Sequence, residues 1–277
     1  MKALKAIFDF YINSSIHVAL AVFALSWLTL LEFGLPYDGD LLYFIFFASI
    51  TGYNFVKYFG LVKFHYRSLA RWLKVIQVFS FLCFLLLLYF AAFLEVATLL
   101  FISIFAGITF LYAIPLLPKN LFLDQKQKLR SISGVKIYII ALVWSGVTVF
   151  LPLLNAGYHL NSDELLMALQ RFVFVLALMM PFEIRDLSYD SIKLATMPQI
   201  IGVVNTKLMG LVLLLIFVLI EFFIKTARVQ QFEILFVIAL LSAAFIIGSK
   251  KNQHRYYSGF FVEAIPIVWL VLWLFMD

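Results

Sequence analysis

Nine long apolar runs, separated by short polar loops, govern what this chain can fold into. They extend approximately from Ile16 to Leu31, Leu41 to Gly60, Val75 to Leu94, Val96 to Leu117 and Tyr138 to Leu154. The remaining four extend from Leu165 to Phe182, Leu208 to Ile224, Phe232 to Ile247 and Phe260 to Phe275. Each has roughly 16 to 22 residues, near the length a helix needs to cross a bilayer core. Apolar residues are continuous within the runs and do not alternate, so helices rather than barrel strands satisfy the backbone. Only 13% of the 277 residues are charged and 65% are hydrophobic, whereas a soluble domain is about 25% charged. The expected fold is an all-α integral membrane protein with nine transmembrane helices in a single membrane domain spanning residues 1–277. Glu95 alone divides the third and fourth runs, which predicts a tight turn there.

Charge placement supports the same count. Lys and Arg favour cytoplasmic loops. They gather at Lys2 and Lys5, then at Lys57, Lys63, Arg67, Arg71 and Lys74, and again at Lys119, Lys126, Lys128, Arg130 and Lys136. Further groups are Arg185, Lys193 and Lys207, and Lys250, Lys251 and Arg255. The intervening connections hold only Lys225 and Arg228, beside acidic residues such as Glu32, Asp38, Asp40, Glu95, Asp163, Glu164, Glu221 and Glu233. This alternation predicts a cytoplasmic N-terminus and an external C-terminus, in the inner membrane if the source is bacterial. The net charge of +6 is accounted for by this asymmetry and by anionic headgroups, so it is no argument for nucleic acid. The early polar residues Asp9, Asn13, Ser14, Ser15 and His17 do not read as a signal peptide. The lone Cys83 rules out an internal disulfide.

Polar chemistry gathers on the predicted cytoplasmic side. Glu183-Ile-Arg-Asp186-Leu-Ser-Tyr-Asp190 closes the sixth run, and carboxylates so close to hydrocarbon are kept mainly where they pair, bind ions or face water. Asp186 and Asp190 are spaced i,i+4, which on a continuing helix puts both carboxylates on one face. Two such oxygen ligands suit Mg²⁺, and Mg²⁺ suits a phosphate. Thr51 to Tyr58, with Asn54 and Lys57, lies at the end of the second run, four helices earlier. Polar ends at matching positions suggest two halves, about 10–120 and 130–250, with a ninth helix over 260–275.

These residues carry a resemblance. Glu183 to Asp190, followed by Lys193, Thr196-Met-Pro198 and Ile201-Gly202, resembles the second aspartate motif of the UbiA-type intramembrane prenyltransferases. Tyr112-Ala-Ile-Pro115-Leu-Leu-Pro118-Lys119 resembles that family's segment at the end of its fourth helix, and Gly134 to Ser145 the start of its fifth. The resemblance implies nine helices, transfer of a polyprenyl group from its diphosphate to a lipophilic, often aromatic, acceptor, and membrane lipids as the surroundings. It implies Asp186 and Asp190 as catalytic residues and ligands of Mg²⁺ on the diphosphate. Asn54, Lys57, Lys119, Arg130 and Lys193 are the implied diphosphate contacts. Aromatic faces could stabilise a carbocation-like prenyl end.

The first aspartate motif of the family, N-x-x-x-D-x-x-x-D, is incomplete here. Asn54 is kept, but Tyr58 and Val62 stand where the aspartates belong. Nearby Lys57, Lys63 and Arg67 could contact a diphosphate directly in place of a metal. The alternative is a family member that binds an isoprenoid lipid without turning it over. A small-molecule transporter is a weaker rival, because apart from Arg171 and Glu263 the helix interiors are apolar. Asn54 suits either a ligand or an interhelix tie, Arg171 either snorkelling or the interior, and Glu263 either the site or a pair with Arg255. The four histidines lack metal-ligand spacing, and there is no Gly-rich phosphate loop or G-x-S-x-G elbow.

Overall fold

A computed structural model of the chain describes residues 2–62, 71–113, 134–188, 196–224 and 229–276. The described elements are helical throughout. They are α1 (Lys2–Asn13), α2 (Ile16–Glu32), α3 (Gly39–Val62), α4 (Arg71–Ala91), α5 (Val96–Ala113) and α6 (Val135–Ser145). A π-helical turn, Gly146–Phe150, leads into α7 (Leu151–Asn155). Then follow α8 (Ser162–Asp186), α9 (Met197–Glu221), α10 (Val229–Gly248), a second π segment, Tyr257–Val262, and α11 (Ile265–Met276).

Within the described residues each apolar run lies on helical structure, the fifth on α6, the π turn and α7 in succession and the ninth on the second π segment and α11. Among the described residues seven spans are long and apolar enough to cross a membrane, and α1 with α2 makes an eighth if that bent pair is one span. The fourth run is a shorter apolar helix, Val96–Leu111. The tight turn expected at Glu95 occupies residues 92–95 between α4 and α5.

Neighbouring helices close a ring: α2 packs on α3, α3 on α5, α5 on α6, α6 on α8, α8 on α10, α10 on α11, and α11 back on α2. Helix α8 is the most enclosed, with 67% of its span buried in protein, against 17% for Trp72–Ala91 in α4. Helix α4 instead turns Phe81, Leu82, Leu85 and Leu88 outward, a face that suits hydrocarbon, since lipid tails are as apolar as leucine. An aromatic cluster joins α8, α9 and α11: Phe174 lies 4.9 Å from Phe217 and 5.3 Å from Trp269, centroid to centroid.

Two local features set the ends of the bundle. At the end remote from Asp186, Asp38 Oδ1 accepts from the Leu41 backbone N–H at 3.0 Å and starts α3 as a side-chain cap. Its Oδ2 accepts from Asn155 Nδ2 at 2.7 Å, tying α3 to α7. At the other end α1 and α2 meet at a 56° bend. The bend turns on Ser15, which has φ 64° and is the one non-glycine residue with positive φ among those described. Ser14 and Ser15 are both fully buried there.

Candidate functional site

The polar end of the bundle is assembled from the α1–α2 bend, the last turns of α3 and α8, the first turn of α6 and the π segment at Tyr257–Val262. Its best-defined element is the end of α8. Lys136, one residue into α6, lies 3.1 Å from Asp186 Oδ2 and 3.5 Å from Glu183 Oε1. Arg185 approaches the other oxygen of Asp186, with Nε at 2.9 Å and Nη2 at 2.8 Å. Its Nη1 donates to Ser258 Oγ at 2.9 Å, reaching the π segment. The guanidinium also lies 5.2 Å from the centre of the Phe182 ring. Both oxygens of Asp186 are therefore engaged by cations from two different helices.

The opposing wall comes from α3 and the α1–α2 bend. Asn54 is buried, donates to the Ser14 carbonyl at 2.9 Å and to Ser80 Oγ at 2.8 Å, and accepts from Ser15 Oγ at 2.8 Å. Lys57 Nζ donates to the same Ser15 hydroxyl at 2.8 Å and lies 6.0 Å from the centre of the Tyr53 ring. Tyr53 is itself fixed by Trp144 Nε1, 2.6 Å from its hydroxyl. Tyr58 Oη donates to the Asn13 carbonyl at 2.7 Å. Glu263 interacts electrostatically with both Lys57 and Arg185. It does not pair with Arg255, which instead meets Asp9 together with Tyr256.

Of the residues expected at the site, Asp186, Asn54 and Lys57 are at this end of the bundle. Asp190, Lys119, Arg130 and Lys193 lie outside the described residues. Helix α8 ends at Asp186 and turns through Leu187 and Ser188. Val62 closes α3, so the helix runs through both positions, 58 and 62, that the resemblance assigns to aspartates.

The residues present fit one hard cation on the α8 side. Glu183 and Asp186 offer carboxylate oxygens three residues apart, and the ammonium of Lys136 already bridges them as a point charge. On the α3 side the oxygens are hydroxyls and amides already committed to the protein, a poor set for Mg²⁺. Among the described residues no three His, Cys, Asp or Glu side chains converge on a point.

Several participants were not legible as site residues. Lys136 reads in sequence as a topology charge, although its place just after Gly134 at a helix start is a usable signal. Arg185 and Glu183 stand in the motif, but their partners, Ser258 and Lys136, are 73 and roughly 50 residues away.

No family model and no curated protein matches the sequence. Solved structures do match over nearly the full length. A structure of digeranylgeranylglyceryl phosphate synthase is similar at a TM-score of 0.56 with 14% identity, covering 100% of this chain and 98% of the other. An apo UbiA homolog from Aeropyrum pernix K1 is similar at 0.62 with 14% identity, covering 94% of this chain and 98% of the other. The chain thus has the fold of the UbiA-type intramembrane prenyltransferases.

Proposed function

We propose that this protein transfers a polyprenyl group from polyprenyl diphosphate to a lipophilic acceptor within the membrane. The observation that carries the reading is the end of α8, where Lys136 and Arg185 converge on Asp186 opposite Lys57. A diphosphate seated there meets cations from α6, α8 and α3 together. Asp186 and Asp190 would hold Mg²⁺, which would neutralise charge on the departing diphosphate. With Mg²⁺ held there, Lys136 and Arg185 would be left to pair with phosphate oxygens, Arg185 as a bidentate fork and Lys136 as a point charge. Lys57, held by Ser15, supplies positive charge on the side where the family carries carboxylates. In this reading the chain crosses the membrane nine times with the site on the cytoplasmic side.

A second reading is favoured by the α3 wall. Asn54 and Tyr58 are both consumed in holding the α1–α2 bend, an arrangement suited to a protein that binds an isoprenoid diphosphate without cleaving it. One experiment separates the two: binding and diphosphate release with a polyprenyl diphosphate, with and without Mg²⁺, for wild type, Asp186→Ala and Asp186→Ala/Asp190→Ala. Mg²⁺-dependent binding and release that both vanish in the variants support the transferase. Binding without release supports the second reading, and no binding removes the substrate class.

A further inference from the structure

A second polar cluster lies fifteen residues earlier on α8, about 22 Å from Asp186 at helical rise. Here α2, α8, α9 and α11 meet. Arg171 Nη2 is 3.3 Å from Glu32 Oε2, and these side chains are 2% and 3% exposed. Gln170 Nε2 donates to Glu221 Oε2 at 2.7 Å and to the Phe217 carbonyl at 3.2 Å. Glu221 is 3% exposed. The Trp269 ring covers the guanidinium of Arg171 at 4.8 Å.

The charges do not balance as drawn. Glu32 from α2, Arg171 from α8 and Glu221 from α9 act on one another, and no other charged side chain among the described residues acts on all three. Gln170 and Trp269, which contact Glu221 and Arg171, are neutral. Among the described residues, two buried carboxylates against one guanidinium leave an excess negative charge. An uncompensated charge in such a place is strongly unfavourable. The hydrogen bonding is incomplete in the same sense: Glu221 Oε1 and Arg171 Nη1 have no hydrogen-bond partner among the described residues. An unpartnered oxygen is far less costly on a neutral carboxylic acid than on a carboxylate.

We infer that Glu32 and Glu221 hold one exchangeable proton between them, so that with Arg171 they form a neutral, proton-binding site that ties α2, α8 and α9 together at the end of the bundle away from Asp186. The site is independent of whichever substrate the other end takes. Raising the pH removes the proton and leaves the excess charge buried, which loosens these three helices. A glutamine at either acid reproduces the neutral form permanently.

Infrared difference spectroscopy of the full chain in lipid tests this directly. Wild type minus Glu32→Gln and wild type minus Glu221→Gln should each show the loss of one protonated-carboxyl stretch that shifts in D₂O, because each variant has a single carboxylate balanced by Arg171. Arg171→Gln should gain a second such stretch. In parallel, the unfolding midpoint of the wild type should fall more steeply as pH rises than that of either glutamine variant. Loss of the stretch in only one variant, in neither, or a wild-type midpoint that falls no more steeply than the variants' would overturn the inference. So would a wild-type midpoint that depends on Na⁺ instead of pH, or failure of both glutamine variants to fold at neutral pH.

Discussion

Tyr58 shows how a single replacement reads differently in isolation and in place. By type it is a neutral residue at the position where the motif it resembles carries an aspartate; in place, its hydroxyl donates to the Asn13 carbonyl and anchors the end of α1. Tyr58→Phe should therefore lower stability by about 1 kcal/mol, the worth of one net hydrogen bond, and leave diphosphate binding unchanged. Denaturant unfolding in detergent and a binding isotherm on the same preparation check both halves. Tyr58→Asp removes that bond as well and leaves the Asn13 carbonyl without its donor. Restoring the family's aspartate should accordingly destabilise the protein before it recruits any metal, visible as a lower unfolding midpoint in Mg²⁺-free buffer. Asp186 behaves in the opposite way: its carboxylate is matched by Lys136 and Arg185, so its removal strands two cations and should abolish Mg²⁺-dependent diphosphate binding.

At the scale of the element, the α1–α2 bend organises the α3 wall. Ser15 takes a left-handed conformation that costs an L-residue roughly 1–2 kcal/mol, and its hydroxyl joins Asn54 to Lys57. Ser15→Ala loses the hydroxyl and keeps the strained φ, whereas Ser15→Gly loses the hydroxyl and relieves it. The glycine variant should be the more stable by about 1 kcal/mol, while both should weaken diphosphate binding by freeing Lys57. Equal stabilities would mean that α1 leaves the bend altogether in the variants. The π turn at Gly146–Phe150 is a second such element. The Phe105 ring packs so closely on Gly146 that an added Cβ would overlap it. Gly146→Ala should consequently cost about 1–3 kcal/mol, the usual penalty of overpacking, and thermal unfolding reads it.

At the level of the whole molecule, the polar end at Asp186 and the polar cluster at Arg171 stand about 22 Å apart along α8, with Phe174, Phe217 and Trp269 packed beside the second. If the Lys and Arg distribution sets orientation as proposed, a cysteine at exposed Lys250 should react with an impermeant maleimide only from the cytoplasmic side, and one at exposed Ser162 only from the other. Buried Cys83 should give little background. Labelling of both from one face would break the nine-crossing topology.

What the sequence by itself determined is the environment and the helices, because a bilayer core imposes run length and backbone satisfaction locally, residue after residue. It also marked the end of α8, since Glu183, Arg185 and Asp186 stand together in one short stretch. It gave no account of Lys136 on Asp186, of Ser15 between Asn54 and Lys57, or of Glu32 and Glu221 around Arg171. Those partners come from helices far apart in the chain, and side-chain electrostatics act through space over a few ångströms, so only the closing of the helix ring brought them together.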